Sequence, residues 1–165
     1  MNKLKAVSLF ASAGIGELLI KDTNIDVILA NEIIPKRVDC YRFFYPESNM
    51  ICGDIADDEV RQNIQKNINE NNISVLIATP PCQGLSTLGK NKVQSHFEQD
   101  KRNFLILYVL DIIDNSNFDF ILIENVPKFI EMYFPYNDDY LLLEGILRLK
   151  YADTYHIKVN ILNAK

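Results

Sequence analysis

A chain of 165 residues, 48% hydrophobic and 24% charged, carries enough apolar mass for one globular core and is too short to expect two. Its net charge of -5 works against a large nucleic-acid-binding surface of its own, because affinity for phosphate backbones comes largely from lysine and arginine. The cysteines Cys40, Cys52 and Cys82 are widely spaced, with few histidines to help them, and support neither a disulfide framework nor a zinc site.

In chain order the pattern alternates strand and helix. The run 5–11, "KAVSLFA", reads as a first strand stopped by "SAGIG", and a helix-length segment then leads to a second, "IDVILANE" at 25–32. Another helix-length segment precedes "NMICGDI" at 49–55. Helical spacing over 59–72 leads to "ISVLIAT" at 73–79, and over 102–116 to "FDFILIE" at 118–124. A helix is expected over 139–152 and a sixth strand over 154–162, "TYHIKVNIL". Apolar strands joined by helices predict an α/β fold, a mostly parallel sheet covered on both faces, in a single domain over 1–165. No run is long enough to span a bilayer and no cleavable leader pattern opens the chain, so a cytoplasmic protein without membrane contact is expected. Cys40 and Cys52 read as small core residues.

The first strand-to-helix turn, "LFASAGIGELL", places Gly14 and Gly16 where backbone can approach a ligand. A dinucleotide fingerprint would need glycine or alanine at the position of Leu19, so a nucleoside-type cofactor fits better than NAD. Glu32 and Asp54, at the ends of the second and third strands, stand where such folds hydrogen-bond hydroxyl and amino groups. The alternative is that both are solvated strand-end acids and that the glycines only make a turn. Cys82, in "LIATPPCQGLSTLGKNK" at 76–92, follows an apolar strand at the edge where α/β folds keep their chemistry. The polar loop after it is long for a compact domain.

Taken in order, "SLFASAGIGE", "NE" at 31–32, "GDI" at 53–55, "PPCQGLS" at 80–86, "RNFLILYVLDII" at 102–113, "ENV" at 124–126 and "YHIKVNILNA" at 155–164 resemble the successive motifs of the DNA cytosine-5 methyltransferases. The likeness spans nearly the whole chain. It implies a Rossmann-like S-adenosylmethionine-dependent fold, no metal, and a cofactor held by Phe10, Gly14, Gly16, Glu32, Ile33, Asp54 and Ile55. It further implies that Cys82 is the nucleophile that adds to carbon 6 of cytosine and that Glu124 protonates N3 of the ring. Pro81 and Gln83 would fix the loop around the cysteine, and Asn125 and Val126 the turn that holds Glu124.

A base attacked in this way must leave the double helix, so the implied partner is double-stranded DNA with a flipped cytosine. The loop 84–101, with Lys90, Lys92, Lys101 and Arg102, matches the segment that closes over it. Ser12 stands where the family usually has glycine. By this likeness the sequence stops before the target-recognition domain, which a missing C-terminal half or a separate subunit would carry. The strand 154–162 would then lack a neighbour and invite self-association. Two other classes stay open: a cofactor- or partner-binding remnant without activity, and a nicotinamide oxidoreductase suggested by fold alone.

Overall fold

The computed structural model describes residues 3–81 and 101–163. They fall into two compact units, one running to Pro81 and resuming over Lys101–Glu124, the other continuing from Asn125.

The first unit is built on five parallel strands: β1 (Leu4–Leu9), β2 (Ile25–Glu32), β3 (Asn49–Cys52), β4 (Val75–Ala78) and β5 (Phe120–Ile123). Their order is β3-β2-β1-β4-β5, so the chain reverses its direction across the sheet between β1 and β4. In open α/β sheets that switch point, at the carboxyl ends of the strands, is where ligands bind. A register shift between Ala6 and Val7 on β1 lets both Val27 and Ala30 of β2 face the same side.

The helices are α1 (Pro35–Phe44), α2 (Asp58–Asn71) and α3 (Leu105–Asp114). Proline opens α1 at a position where its missing N–H costs nothing. For α2, the Asp57 side chain accepts from the Glu59 N–H at 2.9 Å, Asp58 and Glu59 complement the dipole, and Asn72 in left-handed conformation (φ 52°) ends it. With this strand order, the crossover rule for parallel strands puts α1 on one face and α2 and α3 on the other. On the α1 side, Ala30 and Met50 pack with Val38 and Tyr41. The opposite side presents Val7, Leu9, Leu29 and Leu76, all essentially inaccessible. Arg61 of α2 ties itself to α3 by an ion pair with Asp111 at 3.1 Å, and donates to the carbonyls of Ile55 and Ala56.

The second unit contains an antiparallel pair, β6 (Tyr133–Tyr136) and β7 (Asp139–Leu142), followed by α4 (Leu143–Tyr151). Phe129 and Phe134 meet edge to face, and Leu143 and Ile146 of α4 are buried. Arg148 clasps Glu144 one turn earlier. Among the described residues, no helix is long and apolar enough to cross a membrane.

Several expectations are corrected. The segment after β1 is not a helix of regular length but two short 3-10 turns, Ile15–Glu17 and Ile20–Asp22. Three positive φ angles, at Phe10, Ser12 and Gly14, bend the chain too tightly for an α-helix to start there. The helix expected over 139–152 begins only at Leu143, because Asn137 (φ 55°) turns "YFPYNDDYLL" into a hairpin with a two-residue loop. Residues 156–163 form no strand: they alternate like one, but no described strand offers them a ladder. The sheet is also not covered throughout. Phe120 and Leu122 of the edge strand β5 are 59% and 58% exposed. Cys52, at the end of the other edge strand, is exposed and Cys40 half-buried, so neither is a core residue.

Candidate active site and cofactor pocket

The carboxyl ends of β1, β2 and β3 converge on Glu32. Glu32 is 4% exposed, and its carboxylate accepts two backbone hydrogen bonds, from Ser12 N–H to Oε2 at 3.0 Å and from Ile34 N–H to Oε1 at 2.8 Å. The Arg37 guanidinium stands 3.9 Å from Oε2. The Glu32 carbonyl accepts from Gly53 N–H at 3.1 Å, which brings the Gly53–Asp54 turn alongside. Asn31, a residue to which the sequence reading gave no role, is buried and donates from Nδ2 to the carbonyls of both Ile51 and Gly53 at 3.1 Å. It extends the pairing of β2 with β3 past the last ladder residue and fixes where Asp54 begins. Asp54 itself is exposed, and its Oδ1 accepts from Ala56 N–H at 2.9 Å. Ile33 is 53% exposed, whereas Ile55 is 3% exposed and belongs to the core.

The turn after β1 is strained. Phe10 and Ser12 hold φ angles of 60° and 52°, a region unfavourable for residues with a Cβ, costing of order 1–3 kcal/mol each. Gly14 (φ 78°) is buried, while Gly16 is exposed with open space around it. Sequence patterns give no sign of the two strained residues, since neither is a type that favours this conformation. Surroundings must therefore impose it. Ala11 N–H donates to the Asn31 carbonyl at 3.0 Å, and Gly14 N–H returns to the Ala11 carbonyl at 2.9 Å.

At the switch point the ends of β4 and β5 lie side by side. Glu124 N–H donates to the Ala78 carbonyl at 3.0 Å, which places the exposed Glu124 beside the segment Thr79–Pro81. Thr79 connects this edge to the turn after β1: its N–H donates to the Leu9 carbonyl and its hydroxyl to the Phe10 carbonyl, both at 3.3 Å. Pro81 is half-buried. Cys82, Gln83 and the loop to residue 100 lie outside the described residues. In the second unit, Asn125 Oδ1 accepts from Val126 N–H at 2.8 Å, a local brace at the head of the Pro127–Glu131 turn.

Beneath the β1 turn lies a polar cluster that the sequence reading missed. Glu17 is 4% exposed, and burial raises its carboxyl above its ordinary value, although the Tyr41 hydroxyl donates to it and the nearby Ser8 hydroxyl also opposes the shift. Burial, with Glu17 beside it, likewise raises the Tyr41 phenol far above its ordinary value.

The donor set suits a nucleoside-bearing group. Each Glu32 oxygen, with one N–H bond made, has a second acceptor site suited to a sugar hydroxyl. Asp54 and Ile33 are open to solvent beside it. Among the described residues, no group of three His, Cys, Asp or Glu side chains is placed to hold a metal ion.

Residues 4–165 match the family model for C-5 cytosine-specific DNA methylase. The chain is 40% identical to the type II methyltransferase M1.HgaI of Avibacterium volantium, over 98% of its own length and 45% of the relative's. It is 27% identical to a tRNA (cytosine(38)-C(5))-methyltransferase of Spodoptera frugiperda, over 76% of this chain and 36% of that one. Among solved structures, a DNA modification methyltransferase encoded within an E. coli prophage superposes with a TM-score of 0.59 at 27% identity, covering 76% of this chain and 32% of that one. The chain thus spans less than half the length of these relatives.

Proposed function

Because the chain belongs to the C-5 cytosine-specific DNA methylase family, we propose that it is the cofactor-binding and catalytic part of an enzyme that methylates carbon 5 of cytosine in DNA. The observation that carries this reading is the junction of β4 and β5. It sets Glu124 beside the segment that leads directly into Cys82, within a family match that runs through both residues.

S-adenosylmethionine, when bound, supplies an electrophilic methyl group. Glu32 and Asp54 would hold its hydroxyl and amino groups, Ile33 one apolar side, and the turn at Phe10, Gly14 and Gly16 its methionine end; Ile55 would act from the core beneath. Carbon 5 of cytosine is a poor nucleophile. The Cys82 thiolate would add to carbon 6, forming the S–C bond while electron density moves to carbon 5 and N3. Glu124, as a carboxylic acid on the Watson–Crick edge, would give N3 its proton as that charge develops. After the ring is methylated, carbon 5 gives its proton to a base such as water, the C–S bond breaks to expel the Cys82 thiolate, and N3 returns its proton to the Glu124 carboxylate, which restores the aromatic base. Pro81 and Gln83 would orient Cys82, and Asn125 and Val126 the turn after Glu124.

The partner in this reading is double-stranded DNA with a flipped cytosine. Reading of the target falls to a further half or a separate subunit, in keeping with the net charge of -5 here. The experiment is transfer of labelled methyl from S-adenosylmethionine to duplex DNA by this chain joined to such a half, with tRNA assayed in parallel. Label in DNA cytosine supports the proposal. Label in tRNA alone moves the substrate, and no label in either, from an assembly that binds S-adenosylhomocysteine, favours an inactive remnant.

A further inference from the structure

Glu17 is an expensive residue where it stands. It is 4% exposed, its Oε2 accepts the Tyr41 hydroxyl at 2.5 Å, and its Oε1 is buried with no hydrogen-bond partner. Stability alone would be better served by an apolar side chain of similar size, since an unsatisfied buried oxygen carries a desolvation cost. What an acid offers instead is direction. Tyr41, wholly buried on α1, is held by Glu17 from one side and stacks on Tyr45 from the other, ring centroids 4.8 Å apart. Tyr45 in turn donates its hydroxyl to the Gly14 carbonyl at 2.7 Å.

The cluster therefore grips the strained turn at two points, through the carbonyl of Gly14 and through Glu17 just beyond it. Both points lie just past Ser12, whose N–H the turn presents to Glu32. We propose that Glu17, Tyr41 and Tyr45 are a positioning unit: they fix the Phe10–Gly14 turn, and through it set the affinity of the cofactor pocket without touching the cofactor. The part concerning affinity rests on the cofactor reading above; the part concerning the turn does not.

The test pairs two measurements on the full chain and on Glu17→Gln, Glu17→Leu, Tyr45→Phe and a core control, Ile64→Val. Amide hydrogen exchange without ligand follows Ala11, Ser12 and Gly14, whose N–H groups are all bonded within this site. Calorimetric titration follows S-adenosylhomocysteine. Tyr45→Phe and Glu17→Leu should speed exchange of those three amides by about fivefold to tenfold relative to β4, and weaken binding by a similar factor. Glu17→Gln, which keeps the acceptor, should stay within about threefold of wild type, and Ile64→Val should change neither selectively. Acceleration spread evenly over β4 and the turn, or a faster turn with unchanged affinity, overturns the proposal. If Glu17→Leu fails to fold, Tyr45→Phe still decides. A wild-type chain that binds no S-adenosylhomocysteine contradicts the cofactor reading instead, and the exchange pattern then decides the turn alone.

Discussion

The Tyr45 ring occupies the space that a side chain on Gly14 would fill. A Cβ built on Gly14 would lie 2.2 Å from Tyr45 Cε2, and the residue already has a φ of 78°. Glycine is required there twice over, for its backbone and for its missing side chain.

Gly14→Ala should accordingly destabilise the chain by about 2–4 kcal/mol, combining the left-handed penalty with overpacking. Gly16→Ala is the matched control, since nothing stands within 4 Å of its added Cβ and its φ is unremarkable. Thermal melts followed by circular dichroism should separate the two variants clearly. Equal melting temperatures would mean that Tyr45 moves aside freely and that the turn is not held by it.

The raised carboxyl of Glu17 makes stability depend on pH in a particular direction. Below its ordinary value of 4.5, the folded and unfolded chains both carry the proton and Glu17 imposes no ionic penalty. As pH rises above that value the unfolded chain releases the proton while the folded chain retains it, so unfolding gains ground until the folded carboxyl also ionises. The groups facing it, the Ser8 and Tyr41 hydroxyls, are uncharged across this range. Wild type should therefore lose stability relative to Glu17→Gln as pH is raised above 4.5, measured by urea unfolding at each pH. A difference that stays flat would mean that Glu17 ionises in the fold as it does in water, and one that grows in the opposite sense would mean that the fold lowers its carboxyl instead of raising it.

Much of this was legible in the sequence because strands buried on both faces leave continuous apolar runs. All five parallel strands lie within the runs at 5–11, 25–32, 49–55, 73–79 and 118–124 or overhang them by a residue, as β1 does at Leu4. Likewise α2 announces itself by its Asp57 cap. What escaped depends on contacts distant in the chain. The φ angles of Phe10 and Ser12 are set by neighbours such as Asn31 and Glu32, not by residue type. Glu17 looked like one more polar residue in an apolar segment until α1 folded over it. The hairpin at Tyr133–Leu142 did carry a signal, Asn137-Asp138 between the stretches "YFPY" and "DYLL", and the helical reading passed over it. Residues 154–162 have the alternation of a strand, but a strand exists only with a partner to bond. In the candidate site, the ends of apolar runs marked Glu32 and Glu124 in the sequence, whereas nothing marked Asn31, because it bridges the carbonyls of Ile51, in the next strand, and Gly53, just after it.

Glu32 and Asp54 should respond differently to truncation. Removing the Glu32 carboxylate strands the N–H groups of Ser12 and Ile34, so Glu32→Ala should lower stability by about 1–3 kcal/mol for each donor left buried, as well as weaken cofactor binding. Asp54 is exposed and braces only Ala56 N–H. Asp54→Ala should leave the unfolding curve within about 1 kcal/mol of wild type, yet reduce S-adenosylhomocysteine affinity by roughly one decade. An Asp54 variant with wild-type affinity would remove it from the pocket.

The most direct measurement concerns Cys82. Duplex DNA carrying 5-fluorocytosine cannot lose the substituent at carbon 5 as a proton, so an enzyme that adds a thiolate to carbon 6 is trapped on it once the methyl group has moved. The assembled protein, this chain with the half that reads the target, should form a stable adduct in the presence of S-adenosylmethionine that mass spectrometry maps to Cys82. Cys82→Ser should form none, and Glu124→Gln should form it at least about a hundredfold more slowly, with cofactor binding nearly unchanged. An adduct on Cys40 or Cys52, one that survives Cys82→Ser, or no adduct from an assembly that methylates ordinary cytosine would contradict the account.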